Sequence, residues 1–159
     1  MKILATNDDG FEAPGLKALL ECFDDSIDTY VTAPKHERSA TSHSISLGRN
    51  IQTEVFVSKD HHAIGVNGTP VDCVKFALHD LKNVPFDFVF SGINQGANTG
   101  VSVYYSGTIA AAREACINGI PAIAISLCSK TSREFGVCQK LVRKMINIHK
   151  ETPFPKDLL

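Results

Sequence analysis

The stretch Lys2-Ile3-Leu4-Ala5-Thr6-Asn7-Asp8-Asp9-Gly10, followed by Ala13-Pro14-Gly15-Leu16, decides the fold class. A short apolar run stopped by Asn-Asp-Asp-Gly predicts a strand and a polar turn. Pro14 then opens a helix, and Leu16, Leu19, Leu20 and Phe23 recur at i, i+3, i+4 and i+7, one apolar stripe for a sheet to cover. Strand, turn and helix repeat from there on. Asp28 to Ala33 is a second strand ended by Pro34, and Lys35 to Ser46 is polar and aperiodic, a long loop for so small a chain. Ordered loops of that length tend to be functional.

Ile51 to Val57 and His61 to Val66, separated by Ser58-Lys59-Asp60, predict a hairpin inserted into the pattern. Thr69-Pro70-Val71-Asp72 is a capped helix start, with Val71, Val74, Leu78 and Leu81 on the buried face. A strand follows at Phe86 to Phe90, then a Gly/Asn-rich loop from Ser91 to Tyr105, an Ala-rich helix from Ser106 to Asn118, and a strand from Pro121 to Leu127. Thr131-Ser132-Arg133-Glu134 fits a capping box opening a last helix to about His149, with Phe135, Cys138, Val142 and Met145 inward. The alternation implies a three-layer, Rossmann-like α/β fold: a mostly parallel sheet with helices on both faces and an inserted β-hairpin. In such sheets ligands bind beyond the carboxyl ends of the strands.

The composition narrows function. With 159 residues the chain has room for one domain, and 43% hydrophobic against 21% charged residues excludes a disordered or fibrous class. Sixteen Lys and Arg against seventeen Asp and Glu give a net charge of -1, which advertises neither nucleic acid nor anionic membrane as a partner. The longest apolar run, Ile120 to Cys128, is too short for a membrane span, and the expected location is the cytoplasm. Five widely spaced cysteines without a CxxC suggest neither a disulfide framework nor a zinc site, and are expected reduced and mostly buried.

Three polar loops fall where a ligand is expected: Asn7 to Gly10, the Ser39 region, and Ser91-Gly92-Ile93-Asn94. Adjacent carboxylates at a strand end repel one another, and a cation relieves that repulsion. Asp8 and Asp9, with the Ser39 hydroxyl, the Asn94 amide oxygen and water, form a hard-oxygen set suited to Mg²⁺ or Mn²⁺. Taken alone, Asn-Asp-Asp-Gly is also an ordinary capped turn. Tyr104-Tyr105-Ser106-Gly107-Thr108 opens a helix whose free backbone N–H groups and hydroxyls suit a phosphate, although Ser or Thr there is equally a plain cap. Walker and dinucleotide fingerprints are absent, against a P-loop or NAD enzyme. His36 and His43, in the long loop, are candidate general acids or simply solvated residues. His61-His62 is expected at a hairpin turn, and His79 and His149 on helix surfaces.

Together, Asn7-Asp8-Asp9-Gly10 with Ala13-Pro14-Gly15, Ala33-Pro34 leading to Ser39 and Ser44-Ile45-Ser46-Leu47, Gly68 to Val74, Ser91 to Asn98, and Tyr105-Ser106-Gly107-Thr108-Ile109-Ala110-Ala111-Ala112 resemble the SurE family of survival-protein nucleotidases. The match runs in order from residue 1 to about residue 128. The resemblance implies a divalent-metal-dependent phosphatase acting on nucleoside 5′- and 3′-monophosphates, with one Mg²⁺ or Mn²⁺ per subunit, assembled as a homodimer or homotetramer. It implies metal ligands at Asp8, Asp9, Ser39 and Asn94, with Asp8 and Asp9 catalytic, and a phosphate cradle at Asn98, Ser106, Gly107 and Thr108. Ala40 follows Ser39 where the family usually has Gly. Family members are longer, so residues 1–159 are expected to be a single SurE-like core domain lacking a C-terminal region that swaps between subunits. The alternatives are an aspartyl-phosphate enzyme, which the Asp-Asp rather than Asp-x-Asp spacing disfavours, and a nucleotide- and metal-binding module without turnover.

Overall fold

In the computed structural model, which describes residues 1–48, 50–57 and 61–159, a six-stranded sheet runs in the order β3-β4-β2-β1-β5-β6. The strands are β1 (Lys2–Thr6), β2 (Asp28–Pro34), β3 (Thr53–Val57), β4 (His62–Val66), β5 (Phe88–Gln95) and β6 (Ala122–Leu127). The helices are α1 (Pro14–Leu20), α2 (Pro70–Asp80), α3 (Ser102–Tyr105), α4 (Gly107–Ile117) and α5 (Gly136–Glu151). All pairings are parallel except β3 with β4. Among the described residues no helix is long and apolar enough to cross a membrane.

Successive strand residues point to opposite faces, so one strand feeds two cores. In β1, Ile3 and Ala5 join Leu16, Leu19, Cys138, Val142 and Ile146 of α1 and α5, while Leu4 joins Val74, Ala77, Ala111, Ala112 and Ala115 of α2 and α4. The Ala-rich face of α4 has short side chains, which let the helix lie close over the sheet. α2 is locked at its start: Asp72 N donates to Thr69 Oγ1 (3.1 Å) and Thr69 N to Asp72 Oδ2 (2.8 Å), a reciprocal cap. Such caps typically contribute about 1 kcal/mol.

Several expectations change. The hairpin is part of the main sheet: β4 lies parallel to β2 from Tyr30↔His62 to Pro34↔Val66, and β3 forms an antiparallel edge. Its expected turn, Ser58-Lys59-Asp60, lies outside the described residues. β5 starts at Phe88 rather than Phe86 and continues to Gln95, because Asn94 and Gln95 pair with Ser126 and Leu127 of β6 beyond a register shift. That shift leaves one extra residue on β5, a bulge. Gly92 sits there at φ 135°, where a Cβ would overlap the Ile125 carbonyl oxygen. Residues 102–105 of the predicted loop form α3. α5 begins at Gly136, not at the capping-box pattern, because the Ser129 and Ser132 hydroxyls accept from the N–H groups of Ser132 and Glu134 and close turns instead. Met145 packs half-buried against the same core, and Ile146 joins Cys138 and Val142 as a buried residue of the helix.

All five cysteines are free, with Cys22, Cys73 and Cys138 buried, Cys116 half-buried and Cys128 exposed. His149 is half-buried rather than fully on the helix surface: its ring packs against Phe88 and Phe154, it accepts from Phe154 N at 3.1 Å, and burial lowers its pKa. His62 opens β4 and stacks on Tyr30.

Candidate active site

Asp8 and Asp9 stand just past the carboxyl end of β1, in a turn that Asn7 shapes by donating Nδ2 to Gly10 O (2.8 Å). Gly10 has φ 106°, and a Cβ there would sit 3.2 Å from Glu37 N, so the β1 turn and the loop after β2 touch at a point only glycine permits. Arg38 N donates to Asp8 O (2.7 Å), tying the same loop to the acidic pair.

Around this junction opens a cleft of about 640 Å³ lined by Asp8, Asp9, Glu37, Ser39, Asn94, Asn98 and Ser106, with Gln95, Tyr105 and Lys130 at its walls. It sits beyond the carboxyl ends of β1 and β5, as the sheet topology anticipates. Four segments far apart in the chain thus bring to one cavity all four predicted metal-ligating residues and two of the predicted phosphate residues.

The two carboxyls are unequal. Asp8 is 6% exposed. Burial drives its pKa from the ordinary 3.8 to about 6; the Thr108 hydroxyl, donating to Oδ1 at 2.5 Å, pulls it back, and the neighbouring charge of Asp9 pushes it further up. Asp9 is also raised, first by burial and then by the charge of Glu37, against the hydrogen bond that Gln95 N donates to its Oδ2 (3.0 Å). Asn94 donates Nδ2 to Gly96 O (2.7 Å), which fixes the amide and leaves Oδ1 without a donor among the described residues. Ser39 donates its hydroxyl to Glu37 Oε1 (2.5 Å). Two carboxyls strained toward their neutral form, beside an unpaired amide oxygen, fit a hard divalent cation. Among the described residues no group of three or more His, Cys, Asp or Glu is placed to hold a metal, so the remaining oxygens would come from Ser39, Asn94 and water.

The phosphate candidates divide. Ser106 caps α4, its Oγ accepting from Ile109 N (3.2 Å), and Asn98 donates Nδ2 to Ser126 Oγ (2.9 Å); both line the cleft. Gly107 and Thr108 do not. A Cβ on Gly107 would stand 2.9 Å from Asp8 Cβ and 3.0 Å from Pro70 Cγ, so the bare glycine lets α4 close on Asp8. Thr108 is fully buried, its hydroxyl committed to Asp8. Neither candidate histidine lines the cleft. His36 is exposed, and His43 Nε2 lies 2.8 Å from Glu114 Oε2, a buried carboxylate of α4 that also meets Lys75 and Asn118. Glu37, Gln95 and Lys130 line the site without having been singled out. Glu37 carried one readable signal, an acid two residues before Ser39 in a long loop.

The sequence model of the family described as "Survival protein SurE" matches residues 3–158. The chain is 48% identical over 149 residues to a protein of Desulforudis audaxviator named 5′-nucleotidase SurE, covering 92% of this chain and 58% of that protein. It is 44% identical over 163 residues to a protein of the same name from Nostoc sp., covering 100% and 62%. Among solved structures, the SurE protein from Aquifex aeolicus superposes with a TM-score of 0.88 at 32% identity, covering 99% of this chain and 63% of that one. The chain therefore spans about three fifths of the length of the relatives it matches.

Proposed function

This chain belongs to the SurE family, and from that premise we propose that it is a divalent-metal-dependent phosphatase that hydrolyses nucleoside 5′- and 3′-monophosphates to nucleoside and phosphate. The observation that carries the reading is the meeting, in one cleft, of the Asp8-Asp9 pair with the N-terminus of α4 at Ser106. The names of the relatives support the 5′-nucleotidase part of it.

Asp8, Asp9, Ser39 and Asn94 would hold one Mg²⁺ or Mn²⁺, which when bound supplies Lewis-acid polarisation of the phosphate and acidifies water. The protein's own contribution is placement. Thr108 and Gln95 N hold the two carboxyls in fixed orientations, so that they need no reorganisation when substrate arrives. The start of α4 offers its positive dipole end, with the Ser106 hydroxyl free to donate, to the phosphate oxygens as negative charge builds on them. Asn98, held by Ser126, offers a further polar contact at the same wall.

The test is direct: incubate the chain with adenosine monophosphate and Mn²⁺ and measure released phosphate beside nucleotide binding. Wild-type protein is expected to release phosphate and Asp8→Asn to lose at least about 100-fold in rate. Full activity in Asp8→Asn overturns the assignment, and binding without release replaces it with a nucleotide-binding module.

A further inference from the structure

Lys130 is the only cationic side chain among the described residues lining a cleft that already holds Asp8, Asp9 and Glu37. It belongs to the segment between β6 and α5, and among the described residues it enters no ion pair. Its stem runs over Gly96, with Cγ 3.6 Å and Cε 4.0 Å from where a Cβ on that glycine would stand. Its backbone is fixed. Gln95 Nε2 donates to Lys130 O (3.0 Å) and Ser132 O (3.1 Å), while Gln95 N donates to Asp9 Oδ2. One residue therefore clamps the acidic pair on one side and the lysine segment on the other.

A lysine at an acidic cleft ordinarily neutralises a neighbouring carboxylate. This one is held at the wall by its backbone, and its ammonium remains available to an incoming anion. Apart from the metal, a phosphomonoester dianion would otherwise meet no full positive charge among the described lining residues, only carboxylates, hydroxyl and amide groups and the partial charge of one helix end. The geometry points to Lys130 as a phosphate-binding residue of this cleft and to Gln95 as the residue that positions it, an inference that rests on the phosphatase reading and adds to it the contact that selects an anionic substrate. A compact, strongly hydrated ammonium binds phosphate as a point charge, so its share should appear in binding rather than in the chemical step.

The experiment compares Lys130→Gln, Lys130→Arg, Gln95→Ala and the double variant in the presence of Mn²⁺. Lys130→Gln is expected to raise KM for adenosine monophosphate about tenfold with kcat changed less than about twofold, and Lys130→Arg to recover most of the loss. Inhibition by adenosine, which lacks the anion, should not change. Gln95→Ala should raise KM about threefold alone and add nothing to Lys130→Gln, since a positioning residue acts only through the one it positions. Titration with inorganic phosphate reads the same contact without turnover, and Lys130→Gln should weaken it by a factor similar to the change in KM. Unchanged KM and phosphate affinity in Lys130→Gln overturn the inference while leaving the phosphatase reading standing. If the wild-type chain releases no phosphate, that reading fails instead, and the phosphate titration still decides the role of Lys130.

Discussion

Thr108 donates its hydroxyl to Oδ1 of Asp8 across 2.5 Å of space and 100 residues of chain. The bond opposes what burial does to that carboxyl, so Thr108→Val should push the Asp8 pKa above about 6 and weaken Mn²⁺ binding roughly tenfold, the usual scale for a partner that orients a metal ligand. Thr108→Ser should retain most of the affinity. Calorimetric titration with Mn²⁺ at pH 7 distinguishes them.

The raised pKa of Asp8 also makes metal-free stability depend on pH. The folded chain keeps this proton up to about pH 6, the unfolded chain loses it near 3.8, and between those values the folded state binds more protons. The stabilising contribution is thus complete below about pH 4 and lost as pH rises through 6. Asp9 is shifted in the same direction. Asp8→Asn removes Asp8's share of the dependence and leaves that of Asp9, and in EDTA at pH 7.5 it should unfold at higher urea, with a gain of about 1–3 kcal/mol. A variant less stable than wild type at that pH contradicts the account.

Gly15, in the first turn of α1, lies so close to β5 that a Cβ would overlap the Ile93 carbonyl oxygen. Neither backbone can yield without moving the strand that carries Asn94. Gly15→Ala should therefore destabilise the fold by about 2–4 kcal/mol, seen as a lowered thermal midpoint.

The loop bearing Glu37 and Ser39 is strapped down further along. Ser46 N and Oγ donate to the Asp72 carboxylate (2.9 and 2.7 Å), Thr69 Oγ1 donates to Ser44 O (2.7 Å), and His43 meets buried Glu114. His43→Ala should loosen this strap and speed tryptic cleavage after Lys35 or Arg38 several-fold, to about tenfold. It should also lower phosphate release without altering the carboxyl pair. Unchanged proteolysis would assign His43 no structural share.

The order of strands and helices was legible because apolar runs and i, i+3, i+4 stripes report burial directly. The ends of β5 and α5 were not. Ser91-Gly92-Ile93-Asn94 has the composition of a turn, yet β6 offers it partners and the bulge at Gly92 absorbs the mismatch. Thr131 to Glu134 has the spacing of a capping box, but spacing does not say whether a hydroxyl caps a helix or closes a turn. At the site, Asp8 and Asp9 stood out because paired carboxylates at a strand end are chemically conspicuous. Thr108 looked like a phosphate ligand because a hydroxyl at a helix start suits one, and its contact with Asp8 follows only from how closely Gly107 lets α4 approach β1. Lys130 and Gln95 were silent for a related reason: an isolated lysine and an isolated glutamine carry no pattern until a register places them beside one another.

The parallel pairing of β1 with β5, Ile3↔Phe88 to Thr6↔Ser91, joins residues about 85 apart. Contacts of such separation form only once the cost of closing a long loop has been met. The candidate ligands at 8, 9, 39 and 94 share a cavity only once that pairing exists, so the crowding of carboxylates is a feature of the finished fold and absent from its earlier stages. Mn²⁺ should accordingly leave the refolding rate nearly unchanged and slow unfolding, so that the cleft acts as a lock on the completed fold.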